Sequence, residues 1–508
     1  MKTLMTTLML MSALGAMGQK MDIIEQRPAN PHNTPRPCFP VPNDRQLAWH
    51  ETEFYAFFHY GMNTFTDKEL GYGDEPESHY APALLPDCEQ WVRSAKECGM
   101  RGGIAVAKHH DGFCMWPTST TTHNVTRGGN MAAQVNIPKQ FAEASEKLGM
   151  KYGFYISPWD RNSAQYGRDT YVKDVFFKQV DEVSREAGNN QFEMWFDGAN
   201  GGDGSYGGSN EKRTIDAAVY YDRPNLYRRV HELQPQCTIW GAEGEARWIG
   251  NEKGVGLETQ WSGHTEQSGH EGSENGWMWY PNESDAKATD KGWFWHWGEK
   301  PLSAERLFRM YLETVGRNSN LILNLPPNRD GVLPEATVKT CREMGGLLRE
   351  RLGTNLAEGK RVTVTDTRWD GSSSSGGAVG VSALPTDGRY AAAAMLDGDK
   401  DTYWATNDGV TSARIEVDLG AKMTCHYVML MEYIRLGQRV KDFKVEYSAD
   451  GSSWRDCGAV CTTIGYKRII PLGNNTSDYS SNARVARYIR VTINDSRACP
   501  LIHTLAVY

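Results

Sequence analysis

The chain has 508 residues, a formal net charge of −8 and the composition of a soluble globular protein, apart from a high content of Trp (16) and Tyr (23). That length exceeds one compact core and predicts two or three domains. The acidic balance argues against nucleic acid or an anionic membrane surface as a partner.

The N-terminus, MKTLMTTLMLMSALGAMGQK, sets one Lys before an apolar run that ends in the small residues Ala16 and Gly18. This predicts a secretory signal peptide over residues 1–18 and an exported protein, periplasmic or extracellular. The run is too short to form a membrane span, and no Cys is placed for a lipid anchor. The ten cysteines show no CxxC or Cys/His zinc spacing, so most are expected as buried thiols.

From residue 54 onward, apolar strand patterns alternate with helical ones. Strands are predicted at 54–61, 102–110, 151–160, 191–199, 237–243, 256–261, 291–297 and 320–328. Helices are predicted at 87–98, with Asp87 as N-cap, and at 138–148, 171–187, 222–233 and 303–315. Eight strands with helices between them predict an α/β fold, an irregular (β/α)8 TIM-like barrel over residues 19–352, with helices short or missing after the fifth strand. A Gly/Ser-rich stretch at 365–380 reads as a linker. Short alternating segments such as ARIEVDLG, DFKVEYSADGSSW and RYIRVTIN follow, so residues 353–508 are expected as an all-β antiparallel sandwich.

In such a barrel the C-terminal ends of the strands carry chemistry. The first predicted strand ends on His59, and the second on Lys108, His109, His110 and Asp111. The third offers Tyr155, Trp159 and Asp160. The fourth, QFEMWFDGAN, climbs through Trp195 to Asp197 and stops at Gly198. Three histidines beside a carboxylate fit two chemistries. One is a zinc hydrolase using His59, His109, His110 and Asp197. The other is a glycosidase, in which histidines and aromatic rings hold sugar hydroxyls while two carboxylates react. His109 and His110 are adjacent and would face opposite sides of a regular strand, which disfavours a shared metal. For the second carboxylate, Glu243, Glu245, Glu252 and Glu258 are available, and residue chemistry does not separate Glu243 from Glu252. A non-catalytic glycan-binding protein is the third reading.

The motifs HYGMNTFTDKE, AKHHDGFCMWPT, WFDGAN, RWIGNE, GWFWH and VGRNSNLILNLPPNRDG, in that order, resemble family 29 α-L-fucosidases, most closely the branch acting on α-1,3/1,4-linked fucose. The resemblance implies a retaining exo-α-L-fucosidase for Lewis-type oligosaccharides, with Asp197 as nucleophile and Glu252 as acid/base. It further implies fucose-binding roles for His59, His109, His110, Tyr155 and Trp195, contacts from Asn63 and Glu69, and Trp293 or Trp295 near the fucose methyl group. Leu70 stands where this branch carries Trp, and the 201–216 loop is longer than usual. No cofactor is implied for catalysis. The C-terminal segment resembles discoidin-type, family 32 carbohydrate-binding modules. There the LDGDKDTYW turn implies a structural calcium ion at Asp397, Asp399 and Thr402. Such a sandwich either binds glycan or only buttresses the barrel.

Overall fold

A computed structural model describes residues 34–199, 213–368 and 388–508. The predicted signal peptide, most of the 201–216 loop and most of the Gly/Ser-rich linker lie outside the described residues. Eight parallel strands form the first sheet: β1 (Phe54–Phe58), β2 (Gly102–Lys108), β3 (Lys151–Ile156), β4 (Gln191–Trp195), β5 (Thr238–Trp240), β6 (Arg247–Trp248), β7 (Asn282–Lys287) and β8 (Ser319–Asn324). Their order is β5-β4-β3-β2-β1-β8-β7-β6. A single parallel bridge between Trp240 and Ala246 joins the two edges, so the sheet is a nearly closed barrel.

The strands are buried on both faces, as parallel strands wrapped by helices must be. Outside them pack amphipathic helices with well-made ends. Asp87 caps Cys88–Glu97 by accepting from Gln90 N at 2.9 Å. Ser303 caps Ala304–Thr314, and Gly149, at φ +65°, ends Ile137–Leu148. The lumen is filled by Trp49, Tyr55, Phe57, Ile104, Val106, Tyr155, Trp195, Trp240 and Ile322.

Two strands differ from expectation. Residues 256–261 and 291–297 are loops, and β6 and β7 lie instead at 247–248 and 282–287. The aromatic run GWFWHW looked like a buried strand because it is apolar, but it covers the barrel mouth. The true seventh strand, NESDAK, was hidden because it is polar: Glu283 and Asp285, two residues apart, share one face.

The C-terminal region is a sandwich of two antiparallel sheets, of five and four strands, around an aliphatic core that includes Ile415, Val445, Ile489 and Ile502. It docks near the start of β1. Lys467 Nζ lies 2.6 Å from Glu53 Oε1, and Tyr466 donates to the same oxygen at 3.1 Å. This pair is buried, so either charge left alone would be costly. All ten cysteines are unpaired, and nine of them are buried.

Candidate active site

The C-terminal ends of β1 to β4 place the predicted rim residues together. Asp197 follows β4 and is held at both oxygens. Tyr155 Oη donates to Oδ2 at 3.0 Å, and the Ala199 N–H donates to Oδ1 at 2.7 Å. His110 Nε2 stands 3.7 Å from Oδ2, and its Nδ1 pairs with Ser157 Oγ at 2.7 Å. His109 stacks on Tyr155 with ring centroids 5.5 Å apart, and His59 pairs through Nδ1 with Asn324 Oδ1 at 2.8 Å.

His109 and His110 do not diverge. Their ring centroids are 4.3 Å apart, because β2 ends at Lys108 after a register irregularity and strand alternation no longer governs them. Burial lowers the pKa of all three histidines, to about 3 for His59, to about 4 for His110 and well down for His109. The rim therefore presents neutral imidazoles, good at sharing hydrogen bonds with hydroxyls, beside one anionic nucleophile candidate. Among the described residues no three His, Cys, Asp or Glu side chains stand together as a metal group.

Trp195 packs behind Asp197. Its ring stacks on Trp240 at 3.4 Å and on Tyr155 at 5.4 Å, and its Nε1 donates to Glu283 Oε1 at 2.7 Å. Glu283 also accepts from Tyr55, and burial raises its pKa to about 7. Trp293 reaches the pocket, with its ring 5.3 Å from His59. Trp295 is buried against Trp297 instead. Glu69 ties this aromatic loop down, accepting from Trp293 N at 2.8 Å and pairing with His296. Asn63 is buried and donates to the Glu69 carbonyl at 3.1 Å. Lys108, by contrast, is buried among Asp160, Tyr171 and Gln179, a structural role.

The four downstream carboxylates now differ. Glu243 pairs with Arg223 at 3.1 Å, Glu245 with Arg45 at 2.5 Å and with His231, and Glu258 with Arg317 and Arg468. Glu252 is exposed in the loop after β6 and has no such cation among the described residues.

Sequence reasoning missed Asn324, Ser157, Phe294, Glu283 and Asp285. Phe294 wedges edge-on against both His59 and His109, at 5.3 and 4.9 Å. The acids of NESDAK were detectable as a same-face pair; Asn324 and Ser157 carried no signal beyond their place near strand ends.

In the sandwich, Thr402 Oγ1 lies 2.7 Å from Asp397 Oδ2, to which its single O–H can donate, and 3.1 and 3.5 Å from the carbonyl oxygens of Asp399 and Ala394. This all-oxygen set has the donor chemistry of a hard cation.

Residues 41–351 match the alpha-L-fucosidase family model, and residues 365–505 the F5/8 type C domain model. Alpha-L-fucosidase 1 of Arabidopsis thaliana is 32% identical over 94% of this chain and 89% of its own. A glycoside hydrolase 29 family member from an unknown rumen bacterium superposes with TM-score 0.77 at 35% identity, over 93% of this chain and 78% of that one. A Ruminococcus gnavus family 29 fucosidase solved with fucose superposes with TM-score 0.79 at 28% identity, over 94% and 97%. The chain belongs to the α-L-fucosidases of glycoside hydrolase family 29, with a C-terminal F5/8 type C domain.

Proposed function

We propose that the protein is a retaining exo-α-L-fucosidase that removes α-1,3- or α-1,4-linked L-fucose from branched, Lewis-type oligosaccharides. An Asp197 oxygen attacks the anomeric carbon as the glycosidic C–O bond breaks, and Glu252 gives its proton to the departing oxygen. Glu252 then takes a proton from water, which displaces Asp197 from the fucosyl ester. This double displacement calls for carboxyl groups about 5–5.5 Å apart when substrate is bound.

The observation that carries the reading is the contrast among the carboxylates. Asp197 is oriented at both oxygens by neutral donors, and Glu252, unlike Glu243, Glu245 and Glu258, is not neutralised by an arginine. A carboxylate paired with a cation holds its proton less well and makes a weaker acid catalyst, most of all where the pair is buried, as at Glu245. The Glu243 and Glu258 side chains are 60% and 41% exposed, so their pairs act more weakly. At Glu245, for example, burial alone would raise the pKa, but the hydrogen bonds and charges of His231 and Arg45 outweigh it and bring it down to about 2.

Fucose release from an aryl fucoside, α-1,2-fucosyllactose, α-1,3-fucosyllactose and the Lewis a trisaccharide tests this. Release confined to the α-1,3 and α-1,4 linkages, beside the aryl substrate, supports it. Release from the α-1,2 linkage as well favours a broad-specificity α-L-fucosidase.

The reading extends to export through residues 1–18 and to a calcium ion held by the Asp397, Asp399, Thr402 turn. The calcium proposal predicts that chelation lowers the sandwich's unfolding temperature in the native chain and leaves Asp397→Ala unaffected. An unchanged transition in the native chain contradicts it.

A further inference from the structure

Glu252 is exposed, so its position is set by its backbone rather than by side-chain partners. The segment 247–254 lies along β7 like a strap. Arg247 N donates to Pro281 O and Ile249 N to Glu283 O, both at 2.9 Å. Past the apex, Lys253 forms an antiparallel bridge with Ala286. Gly250, at φ +92°, lets the strap turn close to His270, whose ring a Cβ would meet at 2.4 Å.

Within the first attachment two side chains tie the strap down: Arg247 donates to the carbonyls of Tyr280, His270 and Trp261, and Trp248 reaches β7 itself. Trp248 Nε1 donates to Asp285 Oδ1 at 2.7 Å. Trp248 is 39% exposed, whereas Asp285 is only 6% exposed. Burying a carboxyl costs free energy that an apolar residue would not, and a half-exposed indole could bond to water instead. Packing alone therefore does not explain the pair.

We propose that Asp285 is a positioning residue for Glu252: by clamping the Trp248 indole to β7, it fixes the strap whose apex carries the acid/base carboxyl. The inference rests on the assignment of Glu252 made above. Burial pushes the Asp285 pKa well above the usual carboxylate range, against the hydrogen bond from Trp248, and the charges of Glu252 and Glu283 push it up further. An asparagine, neutral and of the same shape, should therefore preserve the clamp.

The test compares Asp285→Ala, Asp285→Asn, Trp248→Phe and the Asp285→Ala/Trp248→Phe double variant on a nitrophenyl fucoside and on α-1,3-fucosyllactose, with Glu252→Ala alongside. A good leaving group needs little acid help, so a displaced acid should be felt mainly on the oligosaccharide. Asp285→Ala and Trp248→Phe should each lose about tenfold or more in kcat on fucosyllactose and less than about threefold on the nitrophenyl substrate. The double variant should be no worse than either single one, and Asp285→Asn should stay within about threefold of the parent on both. Should Asp285→Ala not fold, Trp248→Phe and Asp285→Asn carry the same comparison.

Equal losses on both substrates, no loss, or an Asp285→Asn variant as impaired as Asp285→Ala would overturn the inference. The Glu252→Ala control separates the two readings. If it shows selective loss on fucosyllactose while the clamp variants do not, only the clamp fails. If Glu252→Ala lacks that loss, the acid/base assignment fails first. Selective loss in Asp285→Asn with Glu252→Ala unimpaired would make Asp285 itself the acid.

Discussion

The Tyr155 hydroxyl donates to Asp197 Oδ2 at 3.0 Å across the mouths of β3 and β4. The bond comes from a strand-borne phenol that is itself stacked between His109 and Trp195. The proposed nucleophile is thus aimed by a residue that has nowhere else to go.

Removing that hydroxyl is the simplest perturbation. Tyr155→Phe keeps the stack and deletes a hydrogen bond to a charged group, worth about 1.5–3 kcal/mol. We expect kcat/KM on an aryl fucoside to fall by roughly tenfold to a hundredfold with the unfolding temperature little changed. An unchanged kcat/KM would show that the bond does not orient Asp197.

Glu69 fastens the aromatic loop rather than reacting. It holds Trp293 N at 2.8 Å and pairs with His296, which Asp67 holds on its other nitrogen at 2.7 Å. Glu69→Ala should release the 291–299 loop and raise KM more than it lowers kcat. A fall in kcat alone, measured by steady-state kinetics, would argue against this role.

The histidine rim also makes a pH prediction. His110 titrates at about 4 when folded, against about 6.5 when unfolded, because burial disfavours its cation. Between those values the unfolded chain holds more protons, so stability from this group is full above about 6.5 and is lost as pH falls toward 4. His110→Asn should take up about one fewer proton on unfolding at pH 5 than the parent, and show no difference at pH 8. Calorimetry in buffers of different ionisation enthalpy measures this; equal uptake at pH 5 would mean that His110 is charged in the fold.

Much of the site was legible because reactive side chains stood at the ends of apolar strands, where packing gives no reason for them. His59, His109, His110, Tyr155 and Asp197 all follow that logic and meet at one rim. The supporting groups were harder to see. Asn324 and Ser157 are neutral residues of kinds common in any barrel, and their value lies in aiming His59 and His110. β7 escapes a pattern of apolar strands because it is polar, its Glu283 being satisfied inside by Tyr55 and Trp195. The aromatic loop at 291–297, which buries Phe294 and Trp295, reads as a strand by the same rule in reverse. Residue chemistry left Glu243 and Glu252 level, and only the RWIGNE resemblance pointed to Glu252; the Arg223–Glu243 pair, which no spacing in the sequence reveals, adds a structural difference between them.

The most direct test of the whole account is to trap the intermediate. Glu252→Ala incubated with a dinitrophenyl fucoside should form the fucosyl ester quickly and lose it slowly, since the base for the second step is gone. Intact-protein and peptide mass spectrometry should then find one fucosyl group, carried on Asp197. Adduct on another residue would contradict the assignment of the nucleophile. Inverted product with no adduct would contradict double displacement itself.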